Sequence, residues 1–212
     1  MGKSVEIELK AHVSNSADCK NRLVSLAGEG TPFFKDDAYW FVPEFIRVAT
    51  AYGGGLPDSG LRVRREKAGD AGHTIVTLKR KEMRAECEVN DEQEFAVSDG
   101  AAFEELLELL GLEKQIHKRK QGWVWRYRGI TAELCKVSGS VYTEPEIAES
   151  ETPVPGAKSL GWFLELEILA KEDSPGTVAA AREQLLALLE QTGIGKESIE
   201  SRYYSELLSC QE

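Results

Sequence analysis

Cysteine is scarce. The four residues, Cys19, Cys87, Cys135 and Cys210, lie far apart and form no C-x-x-C pair. That spacing excludes a disulfide frame or clustered zinc site and fits reduced thiols in a cytoplasmic protein. Long apolar runs are also lacking, and none approaches the ~20 residues of a bilayer span. The opening MGKSVEIELK carries charges where a signal peptide needs an apolar stretch. Glu6 stands where N-myristoylation wants Ser or Thr. There is no basic excess: the net charge of -10 argues against nucleic acid or an anionic membrane as partner. No G-x-x-x-x-G-K-[ST] occurs, which excludes P-loop chemistry, and no solenoid-type repeat is present. With 212 residues, 42% of them hydrophobic, one core and a single domain over 1–212 are expected.

The elements follow from periodicity and punctuation. SVEIELKAHV alternates with period two and predicts a strand. Residues 17–28 predict a helix stopped by Gly28, and 36–43 a short aromatic strand ended by Pro43. A Gly/Pro loop at 52–60 precedes strands at 61–67, 73–81 and 84–97. Ser98 and Asp99 offer a cap for the next helix. Strands are predicted again at 115–120, 122–129, 130–139 and 161–169, and helices at 177–193 and 197–208. Residues 140–159, acidic with three prolines and no period, predict an exposed insertion. The pattern is α+β, a mostly antiparallel sheet with helices at intervals.

The strands share an unusual feature. Glu6 and Glu8, with Lys10 next, lie on one face of the first strand, and Val5, Ile7, Leu9, Ala11 and Val13 lie on the other. A single strand of this kind is ordinary, with charges toward water. The pattern recurs, however, at Arg62/Arg64, Lys79/Lys81, Glu86/Glu88, Lys118/Lys120, Arg126/Arg128 and Glu165/Glu167. Same-face neighbours ~6–7 Å apart repel by about 0.6 kcal/mol in water and about 2.5 kcal/mol at an effective dielectric near 20. A solvated face gains by mixing signs. Segregated rows are best explained if they face one another across a shared cavity, with the apolar rows outward beneath helices.

Such a cavity has a definite chemistry. Paired carboxylates bind hard divalent cations such as Mg²⁺ or Mn²⁺. Clustered Lys and Arg bind phosphate oxygens. A small substrate of several linked phosphates, accompanied by a metal, suits both.

At this level the chain resembles the CYTH domain, the triphosphate tunnel metalloenzymes. EIELK is similar to the family's E-x-E-x-K signature. DDAYWF, GLRVRRE, TLKRK, RAECEV, IHKRK, LGWFLELEIL and SRYYSELL follow in family order over nearly the whole chain. The resemblance implies a closed antiparallel β-barrel tunnel of about eight strands with helices outside. It implies metal binding by Glu6, Glu8, Glu165 and Glu167, with Glu86 and Glu88 as candidates for a second metal or as partners of nearby arginines. Triphosphate binding is implied for Lys10, Arg62, Arg64, Lys79, Lys81, Lys118, Lys120 and Arg126, with Arg202 matching the Arg before the final Tyr. Glu6, Glu8 and Lys10 are the implied catalytic group.

Three departures from the family pattern stand out. Cys135 occupies a position where the family often has Asp, so Glu133 or another acid must replace it or the group is lacking. Phe41 also stands where Asp is frequent. The insertion separates VSG from SLGWF, which usually run together. His12 shares the phase of the first charged row, whereas His73 and His117 lack metal-ligand spacing. Trp123, Trp125 and Trp162 suit an outer coat better than a stacking platform. The resemblance leaves three functions open: a metal-dependent triphosphatase, a class IV adenylate cyclase, and a non-catalytic polyphosphate- or nucleotide-binding module. Bacterial cyclases of this kind carry His-Phe shortly before E-x-E-x-K. MGKS stands here instead, which favours hydrolysis. The expected partner is a small-molecule triphosphate, and a homodimer is compatible with the sequence.

Overall fold

A computed structural model describes residues 5–42, 61–68, 71–84, 87–141, 157–172 and 174–209. The architecture is α+β, with antiparallel strands and outer helices. The strands are β1 (Val5–His12), β2 (Thr31–Phe41), β3 (Leu61–Ala68), β4 (Ala71–Arg84), β5 (Cys87–Val97), β6 (Glu113–Tyr127), β7 (Ile130–Val141) and β8 (Lys158–Ala170). The described α-helices are α1 (Ser16–Ala27), α2 (Gly100–Leu109), α3 (Pro175–Gln191) and α4 (Tyr204–Ser209). Hydrogen bonding runs β1-β5-β4-β3-β2-β6-β7-β8, and β1 also pairs with β8, so the ladder returns to its start. Among the described residues, β1 pairs with β5 at Glu6, Ile7 and Glu8 and with β8 from Val5 to His12.

Alternation along each strand sorts the side chains. Ile7, Leu9 and Ala11 point outward with Leu134, Leu164 and Leu166, and pack against Cys19 and Leu23 of α1 and Leu185, Leu188 and Leu189 of α3. Trp125 lies in the same coat and donates its indole N–H to the Gly28 carbonyl at 2.9 Å. Trp123 and Trp162 pack beside it with nearly parallel rings. A second outer cluster joins Ala38, Trp40, Val63 and Val76 to Leu107 of α2. Asn15, Asp99 and Ser174 cap α1, α2 and α3 by accepting from backbone N–H groups of the first turn.

Several boundaries differ from the sequence expectation. Residues 115–120 and 122–129 belong to one strand, β6, not two. Gly122 looks like a break but is a close approach. A Cβ there would lie 2.0 Å from the Leu134 carbonyl oxygen and 2.7 Å from the Cys135 Cα. The expected helix at 197–208 is a 3₁₀ turn (Lys196–Ser198), an extended stretch and the short α4. Ile199 bridges Ala11, and the Glu200 N–H donates to the Lys10 carbonyl at 2.9 Å, so pairing with β1 overrides local helix propensity. The expected insertion at 140–159 narrows, because residues 140–141 extend β7 and 158–159 open β8. Its remainder at 142–156 and the loop at 52–60 lie outside the described residues.

Gly122→Ala should therefore force β6 and β7 apart. Overpacking of this kind costs about 1–3 kcal/mol, and more against rigid backbone. Urea unfolding should show a lowered midpoint; an unchanged midpoint would mean that the ladder does not close so tightly there.

Candidate functional site

The inward rows carry ionic groups that would be costly to bury alone. Lys10, Arg62, Arg64, Lys118, Lys120 and Glu165 are each under 10% exposed. The effective penalty for removing one such ion from water is several kcal/mol, so each needs a partner. Asp37 of β2, at 0% exposure, accepts from Arg64 Nε and Nη2 at 2.7 and 2.9 Å and faces Lys118 Nζ at 3.2 Å. Lys118 also donates to the Tyr39 hydroxyl at 2.7 Å. Lys10 reaches Glu88 at 3.2 Å. Arg62 donates through Nη2 to Thr77 Oγ1 at 2.9 Å and Glu94 at 3.1 Å.

Glu165 lies where these groups converge. It accepts from Lys120 Nζ and, at 2.6 Å, from the Tyr204 hydroxyl. Tyr204 enters from α4, and its ring centroid lies 4.7 Å from Lys10 Nζ, 5.1 Å from Lys118 Nζ and 5.5 Å from Lys120 Nζ. Burial alone would raise the Glu165 pKa, but Lys120 and Lys118 outweigh it and hold the carboxyl well below its usual range. Desolvation opposes the charge on Lys120, yet Glu165 and Glu133 keep it raised well above an ordinary lysine. The Tyr204 phenol is pushed well up by burial and then by Glu165. The Cys135 thiol, also fully buried, is pushed up for the same reasons.

A second part of the interior is acidic. Glu8 is directly opposite Glu88 on β5 and Glu167 on β8, and Glu6 is opposite Asn90. Like charges in direct cross-strand positions are destabilising without a counter-charge. Among the described residues, no three His, Cys, Asp or Glu side chains are already gathered as metal ligands. The donor chemistry nevertheless fits a hard divalent cation: carboxylates from three adjacent strands, plus the buried Asn90 Oδ1, which has no hydrogen-bond partner among the described residues. Glu6, Glu8, Glu88 and Glu167 are the residues that could hold it.

The expected residues divide on this structure. Lys10, Arg62, Arg64, Lys118, Lys120, Glu88 and Glu165 come together inside the ring. Arg126 shares the inward phase of β6 but is exposed at its far end and donates to Thr131 Oγ1. Arg128 leaves the strand for the β6–β7 turn with φ 49°. The Arg202 guanidinium is directed at Glu200, with bonds of 3.0 and 2.7 Å. Lys79 and Lys81 lie on β4 opposite Glu92 and Asn90, but their side chains, like Glu86, are outside the described residues.

The like-charge pattern missed Lys35, Asp37 and Tyr39, because β2 mixes signs along its inward row. Their alternate spacing was the available signal. It also gave no reason to single out Asn90 or Thr77, which are neutral. Glu133, considered beside the Cys135 departure, ion-pairs with Lys35 and lies 4.0 Å from Lys120.

Comparison with known proteins bears on the family and the fold. The CYTH domain family profile matches residues 4–204. No curated protein matches the sequence. Among solved structures, a protein of Pyrococcus horikoshii OT3 is 22% identical with a TM-score of 0.69, covering 96% of this chain and 97% of its own. A suspected adenylate cyclase from Vibrio parahaemolyticus is 18% identical with a TM-score of 0.68, covering 99% and 100%. A suspected adenylyl cyclase from Hippeastrum, described as having a dominant triphosphatase activity, is 12% identical with a TM-score of 0.51, covering 97% and 94%. At these identities the likeness is one of fold.

Glu200, beside the interior, gives a pH test. Hydrogen bonds from Arg202 pull its carboxyl from 4.5 to about 2. A depressed carboxyl stabilises the fold above its unfolded pKa, and that stabilisation is lost as pH falls toward the folded value. Glu200→Gln should therefore melt below wild type near neutrality. The gap should narrow between about pH 5 and pH 2 in thermal melts; a gap independent of pH would contradict the assignment.

Proposed function

This chain belongs to the CYTH domain family, and from that premise we propose that it is a divalent-metal-dependent phosphohydrolase. Its substrate would carry a triphosphate: inorganic triphosphate, thiamine triphosphate or a nucleoside triphosphate. One observation carries the reading. Buried Lys10, Arg62, Arg64, Lys118 and Lys120 share an interior with the cross-strand Glu88–Glu8–Glu167 row. A phosphate chain accompanied by a hard cation matches both halves. Arg62 Nε supports it further, being a buried donor with no acceptor among the described residues.

Loading is then an exchange of partners. Lys10 is closed on Glu88 and Lys120 on Glu165. Phosphate oxygens compete for these ammonium groups and release carboxylates toward a cation at Glu6, Glu8 and their neighbours. Mg²⁺ or Mn²⁺, when bound, supplies Lewis-acid polarisation of a phosphoryl oxygen and a more acidic water. Lys10, Arg62, Arg64, Lys118 and Lys120 hold the non-reacting phosphates and offset charge on the departing oxygen. A β1 carboxylate accepts the proton of the attacking water as the terminal P–O bond breaks. Lys79, Lys81, Arg126 and Arg202 are proposed as further phosphate contacts, the last two from the rim. Cys135, held as a thiol, has no nucleophilic role. Its buried position, with those of Cys19 and Cys87, supports a reducing cytoplasmic setting. No helix among the described residues is long and apolar enough to cross a membrane.

The second reading is a cyclase, favoured by the fold shared with the Vibrio protein. In that case the ribose 3′-hydroxyl attacks the α-phosphorus and pyrophosphate leaves.

Incubation with Mg²⁺ or Mn²⁺ and a panel of triphosphates, followed by separation of products, decides between the readings. Orthophosphate is expected, while cyclic AMP with pyrophosphate would select the cyclase and no turnover a binding module. Glu6→Gln should lower kcat by orders of magnitude with the circular dichroism spectrum unchanged; undiminished turnover would remove Glu6 from the site.

A further inference from the structure

Asn90 is an interior side chain whose chemistry the charged rows do not account for. It lies on the inward row of β5 between Glu88 and Glu92, directly opposite Glu6 of β1. Its exposure is 0%, and among the described residues neither Oδ1 nor Nδ2 has a hydrogen-bond partner. A buried amide with both ends unsatisfied is destabilising, and an apolar side chain of similar shape would serve the fold better. A neighbour that completes it presents a cation or hydrogen-bond donor to Oδ1 and an acceptor to Nδ2 at adjacent points.

We propose that Asn90 is a ligand-binding residue of the interior, with Oδ1 directed to the divalent cation beside Glu6 and Nδ2 donating to an oxygen of the triphosphate that the cation accompanies. This rests on the metal–triphosphate reading above and deepens it. A contact ion pair of metal and phosphate offers both required charges side by side. An aspartate at this position would meet the cation but repel the phosphate beside Glu6 and Glu88. A lysine would do the reverse. The neutral amide is the side chain that serves both members of the pair without adding charge to the acidic row.

Two variants test it without relying on turnover. Asn90→Leu removes both polar atoms while keeping the γ-branched skeleton, and Asn90→Asp keeps an oxygen but loses the N–H donor. Mn²⁺ binding is read from the free-ion electron paramagnetic resonance signal, and tripolyphosphate binding with Mn²⁺ from calorimetry. Asn90→Leu should melt at or above wild type when ligand-free, and should bind both probes about ten- to a hundredfold more weakly. Asn90→Asp should retain Mn²⁺ while losing affinity for tripolyphosphate, and it carries the test alone if the Leu variant does not fold. Wild-type affinities in both variants would overturn the assignment, as would ligand-free destabilisation of Asn90→Leu with affinity unchanged. Failure of wild type itself to bind Mn²⁺ and tripolyphosphate would overturn the underlying reading as well. That result is distinct, because it appears before any substitution is made.

Discussion

Burying ions is the constraint on which this structure depends. Each ammonium, guanidinium or carboxylate removed from water costs several kcal/mol unless another charge meets it at good geometry. The interior meets that condition locally: Asp37 takes Arg64 and Lys118, Glu165 takes Lys120, and Glu88 takes Lys10. A hydrophobic filling of the same volume would generally be no less stable. The charges therefore point to something the interior must do. They can exist there because the opposite face of β1, β7 and β8 is apolar and covered by helices, as with Leu9, Leu134 and Leu166 beneath α1 and α3.

The same pairs support the proposed ligand. Lysines in contact with carboxylates are poised for exchange, since a polyanion offers them better acceptors and leaves the acids for a cation. The acidic row at Glu88, Glu8 and Glu167 sets like charges opposite one another, an arrangement suited to hard oxygen donors. The Tyr204 ring among three lysines also belongs to this balance. It covers their charges with its π face and gives its hydroxyl to Glu165, so α4 takes part in the interior as well as in the outer packing.

Much of this was legible in the sequence, for a simple reason. Strand alternation is local, so Glu6, Glu8 and Lys10 against Ile7 and Leu9 announce two faces without any tertiary information. Like-charged pairs repeated on other strands then indicate what those faces share. What was not legible depended on contacts between distant segments. Gly122 read as a strand break because its reason, the Leu134 carbonyl across the ladder, is twelve residues away. Residues 197–208 have helical propensity, but β1 captures Ile199. Lys35, Asp37 and Tyr39 escaped because a mixed-sign row looks like ordinary solvated surface.

Diffraction at the manganese edge from crystals grown with Mn²⁺ and tripolyphosphate tests the central claim most directly. The account predicts an anomalous peak inside the ring of strands, within ligand distance of Glu6 or Glu8, with phosphate density reaching Lys10 and Lys120. Manganese on the outer surface, or an interior with its Lys10–Glu88 and Lys120–Glu165 pairs still closed at saturating ligand, would contradict it.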